Sequence, residues 1–297
     1  MANRVAVIDL GSNTFHLLVV DLTISGLEFV YRERAFVYLA QGGKEHINQD
    51  RFEYGIEVLT RFTQKAKELS VREIRGIGTS ALRSADNAAD FIHKALSECG
   101  LEIEIISGTK EAQLIHKGVT AELQSEEPVL IMDIGGGSLE LIASQGGEIL
   151  GLDSLPLGIS HLRSVIQYSE PITQEEYESI SSLIKGQLQG ILNWCGSPGI
   201  LAGASGPFEI IESLFKASPM HGGNSFELEE VKPIIKEIIF ATLEGRMSIE
   251  GMPAKRADLA LESMLLIDAV LKLIPSLRKI TVTSYALKEG YLISKHF

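Results

Sequence analysis

The sequence is poor in ready-made reactive centres. It has two cysteines, Cys99 and Cys195, each isolated, with no CxxC pair and no Cys/His metal spacing. Two lone cysteines make no disulfide scaffold, so reduced thiols in a cytoplasmic protein are expected. The seven histidines form no HExxH and no cluster, which leaves His16, His116 and His161 as packing or surface residues. Neither a GxxxxGK[ST] stretch nor a GxSxG elbow occurs, so neither a P-loop site nor a serine hydrolase is indicated. No apolar run is long enough to span a membrane, and a strand pattern begins at Val5 with no features of a signal peptide. Positive charge is scarce as well. With 27 Lys and Arg against 39 Asp and Glu the net charge is −12, which argues against a general nucleic-acid binder. An acidic chain can still hold a polyanion through backbone amides, a few placed cations and divalent ions, so metal dependence is expected.

What the chain does have is ordinary globular composition, 45% hydrophobic and 22% charged over 297 residues, enough for one large or two ordinary domains. Strand patterns at 5–10, 15–22 and 28–39 precede a helix at 51–69, where Phe52, Ile56, Leu59, Phe62 and Ala66 recur at helical spacing. A strand at 71–78, a helix at 87–99, a strand at 101–106 and a helix at 110–123 follow. The polar, proline-ended stretch 124–128 marks a domain boundary, giving domains 1–124 and 125–297. The second half restarts with strands at 129–134, 139–144 and 147–153. Helices at 158–168 and 174–193 lead to a strand at 199–202, then helices at 207–215, 228–242 and 257–273, a strand at 278–282 and a last helix from Tyr285. The most loop-like stretch is 218–224. The fold class is α/β, with helices packed on sheets.

One phrase occurs twice. Val7-Ile8-Asp9-Leu10-Gly11-Ser12-Asn13-Thr14 and Ile131-Met132-Asp133-Ile134-Gly135-Gly136-Gly137-Ser138 each place an apolar run and an Asp before a small-residue turn, with a second apolar run after it. Such a hairpin offers clustered amides, a carboxylate and small hydroxyls, which suits phosphate and its metal; two copies suggest related half-molecules facing one substrate. Asp9 and Asp133 stand where a carboxylate can hold Mg²⁺, the alternative being a local Asx turn. The glycines admit close approach and positive φ, and Ser12, Asn13, Thr14 and Ser138 could meet phosphate oxygens or cap the turns. Arg83, in Gly78-Thr79-Ser80-Ala81-Leu82-Arg83, could clamp a phosphate or stand as a solvated surface charge. Glu111 opens a helix, as a partner of its dipole or as a general base. Glu140 is a metal ligand or a polar position in strand alternation.

These segments, with EIISGTKEAQLI, SLPLG and the C-terminal TVTSYALKEGYL, resemble the exopolyphosphatase and guanosine pentaphosphate phosphohydrolase family, within the actin, Hsp70 and sugar-kinase superfamily. The resemblance runs from residue 5 to about 292. It implies two ribonuclease H-like (actin-like ATPase) domains with an interdomain cleft, the last helix returning to the first domain. It further implies Mg²⁺-dependent (or other divalent-dependent) release of terminal orthophosphate from polyphosphate or guanosine pentaphosphate. By residue match Glu111 is the water-activating glutamate; Asp9, Asp133 and Glu140 fall on metal and phosphate positions. Arg83 and the turns Gly11, Ser12, Asn13, Thr14 and Gly135, Gly136, Gly137, Ser138 fall on phosphate positions, joined by a third loop with Gly203, Ser205 and Gly206. Expected partners are those phosphate substrates, with no nucleic acid and no membrane; a homodimer is one assembly open to the chain.

Three departures stand out. His161 follows SLPLG where the family has an arginine, Pro207 removes an amide beside the third loop, and a further helical domain of longer relatives lies beyond the chain's end. An ATP-dependent phosphotransferase of the same superfamily, or a non-catalytic polyphosphate or nucleotide sensor, remain alternative readings.

Overall fold

Val5, Ala6, Val7 and Ile8 are buried in the first strand, β1 (Asn3–Leu10), which is covered on both faces as the central strand of a sheet must be. β2 (Thr14–Thr23) and β3 (Gly26–Phe36) continue from it as an antiparallel meander. β4 (Glu73–Gly78) then pairs parallel with β1, and β5 (Ile103–Ile105) pairs parallel with β4, giving the order β3-β2-β1-β4-β5. Between the strands run α1 (Gln49–Glu68), α2 (Ser80–Ser84) and α3 (Ala88–Lys94), the last continuing as a π-helical turn, and α4 (Gly108–Leu123) follows β5. α1 buries Phe52, Ile56, Leu59, Phe62 and Ala66, the stripe its spacing predicts. The structure, a computed structural model, describes residues 3–43, 45–216 and 224–297; the loop-like stretch 218–224 lies outside them except for Asn224.

The second sheet is built the same way. β6 (Val129–Ile134), β7 (Leu139–Gln145) and β8 (Glu148–Leu155) form an antiparallel meander, and β9 (Ile200–Gly203) pairs parallel with β6. With β10 (Ser225–Glu227) and β11 (Lys279–Val282) the order is β10-β11-β9-β6-β7-β8. Stripped of the edge strand β10, this repeats the first sheet strand for strand, the ribonuclease H-like arrangement that the resemblance implies. α5 (Ile159–Val165), α6 (Gln174–Leu188), α7 (Gly206–Lys216), α8 (Leu228–Phe240), α9 (Leu243–Ser248) and α10 (Ala260–Leu273) accompany it. α6 opens on a capping box in which Thr173 and Glu176 satisfy each other's backbone amides. α10 is buried on nearly every face, and its two acids are paired: Glu262 with Arg163 at 2.7 Å and Asp268 with Lys236 at 3.1 Å, the Tyr177 hydroxyl also donating to Asp268. The last helix is α11 (Leu287–His296).

By their internal contacts the residues form two units, one of Met1–Gly118, Gly135–Ser138 and Tyr285–Phe297, the other of Val119–Ile134 and Leu139–Ser284. Each has its own apolar core, around Phe15, Phe62 and Phe91 in the first and around Phe208, Phe226 and α10 in the second. The chain leaves the first unit after Gly118, within α4, rather than at the polar stretch read as the boundary.

Candidate active site

Both copies of the repeated phrase fold as hairpin turns closed by one type of bond: Gly11 N donates to Thr14 O at 3.0 Å, and Gly135 N to Ser138 O at 2.9 Å. The contacts of Gly135–Ser138 place it with the first unit, so the two turns lie together. A β-carbon on Gly136 would come within 2.9 Å of Ser12 Cβ and Asn13 Cγ. Close approach is therefore what requires glycine here. Positive φ is not, because neither Gly11 nor Gly135, Gly136 or Gly137 adopts it, and that part of the sequence reading is corrected. The carbonyl of Asn13 accepts from Val37 and Tyr38, and that of Ser12 from Ala40, which pins the first turn from behind. Among the described residues no acceptor meets the amides of Ser12, Gly136 or Gly137. Convergent unpaired amides form an anion-binding nest.

Two carboxylates stand beside this nest in the first unit. Asp9 ends β1 with some surface still open, yet protein surrounds it; that burial pushes its carboxyl up to about 6, Lys288 opposing the shift and Glu289 adding to it. Glu111, in the first turn of α4, is 7% exposed, and burial raises its carboxyl to about 7 against the pull of Arg83, with Asp9 adding to the rise. Arg83 Nη1 donates to Glu111 Oε2 at 2.6 Å and to Ile106 O at 3.1 Å. No bond from Nε or Nη2 is present among the described residues, so one edge of the fork holds Glu111 and the other remains open to an anion. Thr14 Oγ1 is 2.9 Å from His16 Nε2, and His16 faces Asp9 across the β1–β2 ladder.

The second unit holds the remaining candidates. Asp133 faces Glu140 across β6–β7, and Glu140 faces Ser154 across β7–β8. Glu140 is 1% exposed and accepts from Ser154 Oγ at 2.7 Å. In the corresponding row of the first unit, Asp9 faces His16 and His16 faces Arg34. In the third loop Ser205 Oγ accepts from Ile134 N at 2.8 Å, tying the loop to the end of β6, and Gly203 leaves room for the Phe208 ring. Gly206 lies against the Arg256 guanidinium, whose Nη2 pairs with Glu209 at 2.5 Å. Pro207 sits in the first turn of α7, where a missing amide breaks no helical bond. Beyond His161, Arg163 is committed to Asp258 and Glu262 and supplies no replacement cation.

Sequence reading thus missed Arg256 and Lys288, which tertiary folding brings to the third loop and to Asp9. Lys288 had a marker, lying within the C-terminal TVTSYALKEGYL segment; Arg256 lay in none of the motifs. Among the described residues no three His, Cys, Asp or Glu side chains are grouped to hold one metal ion. The carboxylates Asp9, Asp133 and Glu140 are hard oxygen donors of the type Mg²⁺ takes, and Mg²⁺ commonly completes its shell with water and substrate phosphates. The donor chemistry fits such an ion.

Two ribonuclease H-like sheets, each with an Asp and a glycine turn at the end of the first strand of its meander, define a member of the actin-like ATPase superfamily. The chain belongs to the Ppx/GppA phosphatase family, whose profile matches residues 18–296. It is 30% identical over 289 residues to a guanosine-5′-triphosphate,3′-diphosphate pyrophosphatase of Vibrio cholerae serotype O1; the match takes in 96% of this chain and 58% of that protein's length. Its structure resembles an exopolyphosphatase from Cytophaga hutchinsonii with a TM-score of 0.90 and 31% identity, covering 98% of this chain and 97% of the other. An Aquifex aeolicus Ppx/GppA phosphatase shares the fold, with a TM-score of 0.80, 24% identity and 99% coverage of both chains. No described helix is long and apolar enough to cross a membrane.

Proposed function

We propose that the protein is a divalent-metal-dependent phosphoanhydride hydrolase that releases terminal orthophosphate from inorganic polyphosphate, from guanosine pentaphosphate, or from both. The observation that carries this reading is the assembly, within one unit, of a nest of unpaired amides and a buried glutamate held by an arginine with a free edge. The nest and that edge of Arg83 take phosphate oxygens, while Glu111 directs a water molecule in line at phosphorus and accepts its proton. Asp9 in the first unit and the facing Asp133 and Glu140 in the second are the carboxylates offered to Mg²⁺, which, with water and substrate phosphates completing its shell, would offset negative charge on the phosphoryl group. Burial at about 7 leaves Glu111 basic enough to take a proton near neutral pH.

Gly203, Ser205 and Gly206 enter this reading as a third phosphate loop, with the Arg256 guanidinium against Gly206. The names of the Vibrio and Cytophaga relatives support the two substrate classes. The test is orthophosphate release with Mg²⁺ from tripolyphosphate, long polyphosphate and guanosine pentaphosphate, each supplied without an acceptor. Release from at least one supports the hydrolase. Release only with an added acceptor would show a phosphotransferase, and tight binding without turnover a sensor.

A further inference from the structure

α2 carries more than Arg83 to the nest. Thr79 fastens the end of β4 to β1, its amide and hydroxyl both reaching Leu10 O at 3.4 Å, and this fixes the start of α2 beside the first turn. A β-carbon on Gly137 would collide with Ser80 Oγ and lie 3.0 Å from Ser12 Oγ, so two hydroxyls converge on one point of the glycine turn. Neither hydroxyl has a hydrogen-bond partner among the described residues, although Ser12 is only 3% exposed. Both keep some contact with solvent, since the only fully enclosed side-chain nitrogen or oxygen without a partner among these residues is Arg246 Nε. Each hydroxyl therefore offers an uncommitted donor to a polar ligand atom that reaches it. Ser80 and Arg83 stand three residues apart on α2, on one face of the helix.

We propose that Ser80 is a phosphate-binding residue, its Oγ donating together with Ser12 Oγ to the phosphate seated on the Gly135–Ser138 turn. This rests on the reading of that turn as a phosphate site. The ligand chemistry is a tetrahedral phosphoryl group with several acceptor oxygens: the amides of Gly136 and Gly137 take one side, the two hydroxyls another, and the open edge of Arg83 a third. The absence of a side chain at Gly137 then has a functional sense beyond packing, because any β-carbon there would displace the Ser80 hydroxyl.

The experiment measures tripolyphosphate binding with Mg²⁺ by calorimetry, and KM and kcat for orthophosphate release, in wild type, Ser80→Ala and Ser80→Thr. The expected result is binding weakened about tenfold or more in Ser80→Ala, the scale of one hydrogen bond to a charged group, with the loss in KM rather than kcat. Ser80→Thr, which keeps the hydroxyl, should bind within a few-fold of wild type. Unchanged binding in Ser80→Ala overturns the proposal, as does equal weakening in both variants, which would make Ser80 a packing residue. Wild type that hydrolyses tripolyphosphate while Ser80→Ala matches it sinks only this inference. Wild type that neither binds nor hydrolyses it sinks the phosphate site as well.

Discussion

In the proposed reaction Glu111 is the general base, and its burial makes claims about pH. A general base must be ionised, so kcat/KM for phosphate release should fall as pH drops below about 7, and the pH profile of the wild type measures this. The same burial acts on stability with a definite sign. The ordinary value of 4.5 is raised to about 7 in the fold, so between those pH values the folded state binds more protons than the unfolded chain. Stability contributed by the neutral carboxyl is therefore present below about 4.5 and lost as pH rises to about 7. Asp9, raised to about 6, acts in the same direction. Glu111→Gln removes one of these penalties, so the fall in Tm between pH 5 and pH 8 should be smaller in the variant than in wild type, as read by calorimetry. An equal fall in both would mean that Glu111 carries no buried charge. From sequence, Asp9, Ser12 and the glycine turns were legible as a repeated phrase. The grip of Arg83 on Glu111 was not, since 28 positions separate them and only the packing of α2 against the start of α4 closes that gap.

At the scale of elements, α4 and α11 of the first unit come together backbone to backbone. A β-carbon on Gly118 would run into the carbonyl of Ala286, and one on Gly290 into the carbonyl of Leu114, so two glycines let the helix backbones touch. Glu289 then caps the start of α11, its carboxylate accepting from Ala286 N at 2.9 Å, and faces Arg32 at 3.6 Å. This packing delivers Lys288 and Glu289 to Asp9. Gly290→Ala should cost more than about 2 kcal/mol, because backbone, not a movable side chain, stands in the way. Gly186→Ala in the exposed last turn of α6, where no atom lies within 4 Å, should instead stabilise by up to about 0.5–1 kcal/mol. Urea titration separates the two outcomes; a neutral Gly290→Ala would show that the helices can part without loss. The long elements were readable because their apolar periods are long. The five-residue α2 is too short to show a helical period, the six-residue α9 rests on one Thr242 cap, and β10 becomes a strand only through its partner β11. The strand expected at 101–106 shrinks to Ile103–Ile105, as an edge strand paired on one side only.

At the scale of the whole molecule, the repeat is larger than the phrase that announced it. Both sheets follow the same meander and parallel return, and the shared phrase marks the first turn of each. What sequence could not show is that the copies diverge in the row behind the turn, with His16 and Arg34 in one and Glu140 and Ser154 in the other. The acidic set Asp133 and Glu140 thus sits with the second copy, and the Glu111–Arg83 pair with the first. For the proposed polyanionic substrate, a chain of net charge −12 needs cations supplied from outside. Chelation of divalent ions should abolish phosphate release, and Mg²⁺ added back should restore it; full activity after exhaustive chelation would remove Asp9, Asp133 and Glu140 from the role given them. The chain spans 58% of the length of its Vibrio relative.

The most direct test of the account is orthophosphate release from tripolyphosphate with Mg²⁺ by wild type and Glu111→Gln, alongside their affinities for the same compound. The account predicts turnover lowered about 10²–10⁴-fold, the scale of a lost general base, with binding retained. Glu111→Gln that releases phosphate at the wild-type rate would contradict it.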